Sequence, residues 1–98
     1  MTKHEFWKLY DSGAICCKVF EWRDGLESKE VSAFEYDGKF FLRITNETAG
    51  SSWVDNTGKN RHTRGSINTQ IKEFNSKAHA NNYFKKVFEG REYKKVQG

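Results

Sequence analysis

The clearest pattern of apolar and polar positions lies in the middle of the chain, at residues 31–44. Two runs rich in aromatic and β-branched residues, VSAFEY and KFFLRI, are joined there by Asp37-Gly38. Such runs are typical of β-strands, and Asp-Gly between them is a strong signal for a two-residue hairpin turn. We therefore predict a β-hairpin, with a register that places Phe34 opposite Phe41.

The two faces of this hairpin differ in chemistry. One face is predicted to lie in the core because its side chains are mostly apolar, with Glu35 near the turn: Val31, Ala33, Phe40, Leu42 and Ile44. The other face is aromatic and basic, and it either forms a binding surface or lies beneath a helix as core. Its side chains are Phe34, Tyr36, Lys39, Phe41 and Arg43.

Two further segments predict strands, and a third fits two structures. Residues 14–22 (AICCKVFEW) are apolar on both faces, which is typical of an interior strand. Residues 66–74 (SINTQIKEF) predict another strand. At residues 3–11, Thr2 and Glu5 fit a helix-capping box, whereas the alternation of side chains also fits a strand, which we favour.

The last third of the chain predicts an amphipathic helix. Ser76 is a suitable N-cap and Gly90 a suitable terminator. The apolar side chains recur at helical spacing, which requires a sheet for the helix to cover; they are Ala80, Tyr83, Phe84, Val87 and Phe88. We predict one α+β domain over residues 1–98, an antiparallel sheet of four to six strands with a C-terminal helix packed on one face.

Composition narrows the classes of function. A chain of 98 residues with 36% hydrophobic content suits one modest core. No run approaches the roughly 18 apolar residues of a membrane span, and the first residues lack a signal-peptide core, so we expect no membrane association and a cytoplasmic location. Adjacent Cys16 and Cys17 cannot form a disulfide framework between distant segments, and the Cys and His residues do not have the spacing of metal ligands. We expect no enzymatic activity, no metal and no cofactor.

Charge is distributed unevenly along the chain. Residues 1–57 hold seven Lys/Arg against ten Asp/Glu, whereas residues 58–98 hold ten against three, for a net charge of +4. A basic half favours a polyanionic partner if the fold gathers its cations on one side. We predict a non-enzymatic nucleic-acid-binding domain, most naturally for DNA.

Candidate contacts follow from residue chemistry. The segment NTGKNRHTRGS is predicted to be a polar loop, which either binds phosphate through Lys59, Arg61, His62 and Arg64 or is a solvated connection. The remaining candidates are further cations for phosphates and aromatic groups for base stacking. They are Lys72, Lys85 and Lys86 for phosphate, and Phe41 with Arg43, together with Trp53, for stacking.

The segment FNSKAHANNYFKKVFEGREY, which follows an Arg-x-x-Arg-Gly loop, resembles the end of a WGR domain, and Lys39-Phe40-Phe41 is similar to that family's opening strand. The resemblance covers residues 39–93. The family's Trp-Gly-Arg triplet falls on residues 62–64, where only Arg64 matches. The resemblance implies a small antiparallel sheet with one covering helix and contact with DNA.

A second class of function fits the same chain. A small sheet with free edges, exposed aromatic rings and mixed charge can bind a larger protein by strand addition or through an aromatic hot spot. The alternative hypothesis is therefore a protein-interaction module, similar to bacteriophage accessory proteins that bind and modulate a host protein.

Overall fold

Seven β-strands and two helices make up the fold. The computed structural model describes residues 1–98, and five of its strands form an antiparallel sheet in the order β6-β3-β2-β1-β7, while β4 pairs only with β5. The predicted α+β class is confirmed, and the main sheet has a strand number within the predicted range. In chain order the elements are α1 Lys3–Asp11, β1 Lys18–Asp24, β2 Glu27–Tyr36, β3 Lys39–Thr48, β4 Ser51–Val54, β5 Asn60–Thr63, β6 Ser66–Phe74, α2 Lys77–Val87 and β7 Lys94–Gln97.

The β2–β3 hairpin has the predicted register. Phe34 lies opposite Phe41 and the turn is flanked by the pair Tyr36 and Lys39. The turn residues Asp37 and Gly38 have positive φ angles of 53° and 74°. Both central residues of a type I′ turn require this conformation, which Asp and Gly tolerate better than most residues. The local turn chemistry therefore fixes the pairing of the two longest strands.

Strand β6 and helix α2 also form where the sequence predicted them. The Ser76 side chain accepts a hydrogen bond of 3.2 Å from the His79 backbone N–H, which is ordinary N-capping. Gly90, with a φ of 72°, follows the end of the helix. The helix packs on the apolar face of the hairpin, where the buried cluster is Val31, Leu42, Ile44 and Phe88.

Residues 3–11 form a helix, so the favoured strand prediction for this segment is wrong. Thr2 Oγ1 accepts a hydrogen bond of 3.1 Å from the Glu5 backbone N–H, as expected of an N-cap. Phe6 and Tyr10 stack with their ring centroids 5.9 Å apart. A spacing of four residues brings two side chains to one face in either a strand or a helix, and therefore did not distinguish them. The cap did.

Helix α1 covers the aromatic face of the hairpin. Phe6 is 2% exposed, and its ring centroid lies 5.2 Å from that of Phe34. Phe34 in turn stacks on Phe41, with centroids 5.2 Å apart and an interplanar angle of 5°. Ile15, Cys17 and Val19 complete this second cluster. The aromatic face is therefore core, and the helix above it is the N-terminal one.

Strand β1 begins at Lys18 rather than at residue 14. The preceding residues, including buried Ile15 and Cys17, instead connect α1 to the sheet and fill the cluster beneath α1. The strand itself lies between β2 and β7, which agrees with the predicted interior position.

We predict that Phe6→Ala lowers the free energy of unfolding by about 3–5 kcal/mol, because it leaves a cavity between α1 and the sheet. Urea denaturation with a fluorescence readout measures this. His4→Ala, an exposed change in the same helix, is the control and should alter stability by less than about 0.5 kcal/mol. If Phe6→Ala does not fold, Phe6→Leu should show a smaller loss. A change below about 1 kcal/mol for Phe6→Ala would contradict the docking of α1.

Candidate nucleic-acid interface

A two-stranded arm extends from one side of the main sheet. The pairing of β3 with β6 runs from Phe40 opposite Phe74 to Thr48 opposite Ser66. The pairing of β4 with β5 continues in the same register, with Ser51 opposite Thr63. We call residues 49–65 the arm. It accounts for the elongated shape of the protein, which measures 58 × 30 × 20 Å.

Two glycines lie where the arm joins the sheet. A Cβ atom on Gly50 would lie 2.7 Å from the carbonyl oxygen of Thr63. A Cβ atom on Gly65 would lie 2.9 Å from the backbone nitrogen of Gly50 and 2.9 Å from the carbonyl oxygen of Thr48. Only glycine allows the two backbones to approach this closely without displacement. These residues therefore separate the arm from the sheet without changing the register.

The tip of the arm is held by one carboxylate. Asp55 Oδ1 accepts hydrogen bonds from the Thr57 N–H (2.9 Å), the Thr57 hydroxyl (2.6 Å) and the Lys59 N–H (3.0 Å). Asp55 Oδ2 accepts a hydrogen bond of 2.8 Å from Arg61 Nε. Gly58 has a φ of 82°, as the last residue of a three-residue hairpin loop often does. The tip is thus an ordered turn.

These bonds favour the charged form of Asp55. The Thr57 side chain and then the Arg61 guanidinium, helped by the backbone N–H groups of Lys59 and Thr57, lower the pKa of Asp55 to about 2. Hydrogen bonds and an opposite charge both stabilise a carboxylate over its protonated form. The side chain therefore remains an anion at neutral pH and keeps its hydrogen bonds to the turn and to Arg61.

The prediction of a polar loop over residues 56–66 is correct for the turn and for the two residues before β6, but it is wrong for Asn60–Thr63, which form β5. The segment contains the hairpin turn, all of β5 (Asn60–Thr63) and the first residue of β6. Its residues are polar on both faces, so they carry no apolar alternation that would indicate a strand. Pairing with β4 forms the strand instead, in the register inherited from β3 and β6.

The two faces of the arm carry different side chains. Trp53 lies directly opposite Arg61, and Ser51 directly opposite Thr63, so these four side chains share one face. The indole of Trp53 is 48% exposed. The hydroxyl groups of Ser51 and Thr63 lie 3.1 Å apart and form a hydrogen bond. The other face carries Ser52, Val54, Asn60 and His62.

The arm brings five of the predicted contact residues together. All of them are exposed, and the arm contains three Lys/Arg side chains but one acidic side chain, Asp55. The five predicted residues on the arm are Trp53, Lys59, Arg61, His62 and Arg64. The result is a projecting, net positive hairpin with Trp53 and Arg61 on one face and His62 on the other.

The other predicted cations lie on the body of the protein. Lys72 Nζ sits 4.9 Å from the ring centroid of Tyr83, so this lysine packs between β6 and α2. Lys85 and Lys86 are exposed in the last turn of α2, where positive charge also interacts favourably with the helix dipole. The fold thus does not place these three lysines on the arm.

Phe41 and Arg43 do not form a stacking platform, and that prediction is wrong. Phe41 is 5% exposed beneath α1. The Arg43 side chain is 14% exposed and lies 3.9 Å from Glu30. Its guanidinium carbon lies 5.0 Å from the ring centroid of Phe6 and 4.9 Å from that of Trp7. Both residues instead help to hold α1 on the sheet, through packing and cation–π contacts.

Asp55 is the residue of the candidate site that the sequence analysis missed. Its signal was the spacing of Asp55 and Gly58, which is typical of a hairpin turn in which the aspartate side chain binds the following backbone N–H groups. The residues on either side of this turn are polar, so the sequence showed no apolar alternation that would indicate a hairpin there. Without the paired strands, nothing in the sequence linked Asp55 to Arg61.

Metal ions and membranes are two other partners that a protein of this size can bind. No three His, Cys, Asp or Glu side chains gather as they would to hold a metal ion. Neither helix combines the length and the apolar content that crossing a membrane requires. Comparisons with known protein families, curated proteins and solved structures found no match. The arm is the candidate site because it gathers exposed cations and an exposed indole ring.

We predict that Asp55 titrates well below an ordinary aspartate and that the turn loosens in acid. Because the folded pKa is depressed from 3.8 to about 2, the stabilisation is fully present above pH 3.8 and is lost as pH falls through about 2. NMR titration of the Asp55 carboxyl and of the Thr57 and Lys59 amides measures this. In Asp55→Asn the acid-dependent shifts of these amides should disappear. Titration of Asp55 near 3.8 would contradict the geometry of the turn.

Proposed function

We propose that the protein is a non-enzymatic nucleic-acid-binding domain that contacts its ligand with the arm. The observation that carries this proposal is the gathering of Lys59, Arg61, His62 and Arg64 on an exposed, projecting hairpin. Phosphate groups are the abundant anions that such a surface matches, and Lys and Arg are their usual partners. The arm's shape leaves these side chains open to a long ligand from several directions.

The body of the protein supports this role through its overall charge. Lys72, Lys85 and Lys86 add positive charge near β6 and α2, which attracts a polyanion before close contact forms. Their contribution is long-range and sensitive to salt. The resemblance to WGR domains also points toward DNA, although it rests on Arg64 alone within the signature triplet. We further propose that the protein acts in the cytoplasm.

We predict that Arg61→Ala combined with Arg64→Ala weakens oligonucleotide binding and reduces its salt dependence. Loss of two phosphate contacts should lower the slope of log affinity against log salt by about 1.8 on duplex DNA or about 1.4 on a single strand. Fluorescence anisotropy over a salt series measures both quantities. The matched control is Lys94→Ala with Lys95→Ala, which removes the same charge from β7, at the opposite edge of the sheet from β6.

The control separates a local contact from a general effect of charge. If the arm binds phosphate, the arm variant should lose clearly more affinity and slope than the β7 variant. Equal changes in both variants would show that net charge alone drives binding. An unchanged salt slope in the arm variant would contradict the proposal that the arm binds phosphate.

The alternative proposal is a protein-interaction module of the bacteriophage accessory type. It is favoured by the free outer edge of β6 and by Ile67, which is 70% exposed on that strand. An unpaired strand edge can accept a strand from another protein. If the wild-type protein binds no oligonucleotide at low salt, this second function becomes the better explanation of the exposed surface.

A further inference from the structure

Some polar groups on the arm face that carries Trp53 are already bonded within the arm. The hydroxyls of Ser51 and Thr63 are bonded to each other at 3.1 Å. Arg61 Nε is bonded to Asp55 at 2.8 Å. The open groups on this face include the Trp53 ring and the terminal nitrogens of Arg61.

This arrangement bears on how the arm meets a nucleic acid. A two-stranded ribbon is narrow enough to enter the major groove of DNA, but base edges are read there by hydrogen bonds, which the face of an indole ring does not supply. An exposed ring instead suits a base that is not already stacked within a duplex. Trp53 offers such a ring, and Arg61 beside it offers a cation for the neighbouring phosphate.

We propose that the arm binds single-stranded nucleic acid, with one base stacked on Trp53 and the adjacent phosphate bound by Arg61. This inference rests on the proposed function and specifies its ligand. Asp55 is a positioning residue: by bonding Nε it orients the guanidinium and leaves the two terminal nitrogens for phosphate. Its own negative charge opposes phosphate, and the bond to Arg61 offsets that charge.

The test compares single-stranded and duplex ligands on the wild type, Trp53→Phe and Trp53→Ala. The probes are fluorescein-labelled 15-mers of dT and rU and a 15-base-pair DNA duplex, each at low salt and over a salt series. The wild type should bind the single strands more tightly than the duplex. Trp53→Ala should lose about tenfold or more in single-strand affinity, whereas Trp53→Phe retains most of it.

A second readout separates stacking from loss of structure. Because Trp53 neutralises no phosphate, the salt slope should stay unchanged in Trp53→Ala even as affinity falls. A Trp7→Phe, Trp22→Phe background leaves Trp53 as the only indole, and its fluorescence should be quenched by the single strands. Val54→Ala, on the opposite face of the arm, is the control and should bind like the wild type.

The possible outcomes distinguish this inference from the broader proposal. Duplex binding as tight as single-strand binding, together with normal affinity in Trp53→Ala, would overturn the inference and leave the arm as a nucleic-acid site. A Trp53→Ala variant that loses the cross-strand NMR signals of the arm would shift the decision to Trp53→Phe and to quenching, and an unquenched indole would then overturn the inference. Failure of the wild type to bind any of the probes would overturn both proposals.

Discussion

The pairing of β3 with β6 is the interaction on which the rest of the structure depends. One register runs from Phe40 opposite Phe74 to Val54 opposite Asn60, although the pairing itself is interrupted where Gly50 and Gly65 lie. The part of the ladder formed by β3 and β6 lies at one edge of the sheet, and its side chains pack against both helices. The outer part of the ladder forms the arm. Because side chains alternate along a strand, this register also decides that Trp53 and Arg61 share a face.

The sheet has two apolar faces, and each requires a cover. Helix α2 covers the face with Leu42 and Ile44, and α1 covers the face with Phe34 and Phe41. A single helix would leave the second cluster in water, at a cost of about 25 cal/mol for each Å² of exposed apolar surface. The arm lies beyond both helices, so its side chains are left for a ligand.

The parts of the fold that could be predicted from the sequence are those with strong local signals. Asp37-Gly38 fixed the central hairpin, and Ser76 together with an apolar stripe fixed α2. Helix α1 was missed because the spacing of Phe6 and Tyr10 fits two periods. The strands of the arm were missed because their stability comes from pairing and not from an apolar pattern. Similarly, the cations of the arm could be predicted from the charge pattern of the sequence. The contact between Asp55 and Arg61 could not, because it depends on the pairing of β4 with β5.

The central claim is that residues 51–63 continue the β3–β6 ladder as an ordered arm. The most direct test is NMR of the free protein, combining cross-strand NOEs with ¹⁵N relaxation. We expect backbone NOEs between Trp53 and Arg61 and between Ser51 and Thr63. The backbone order parameters of the arm should be about 0.85, as in rigid backbone. Absence of these NOEs, with order parameters below about 0.6 across the arm, would show a flexible loop and contradict this account.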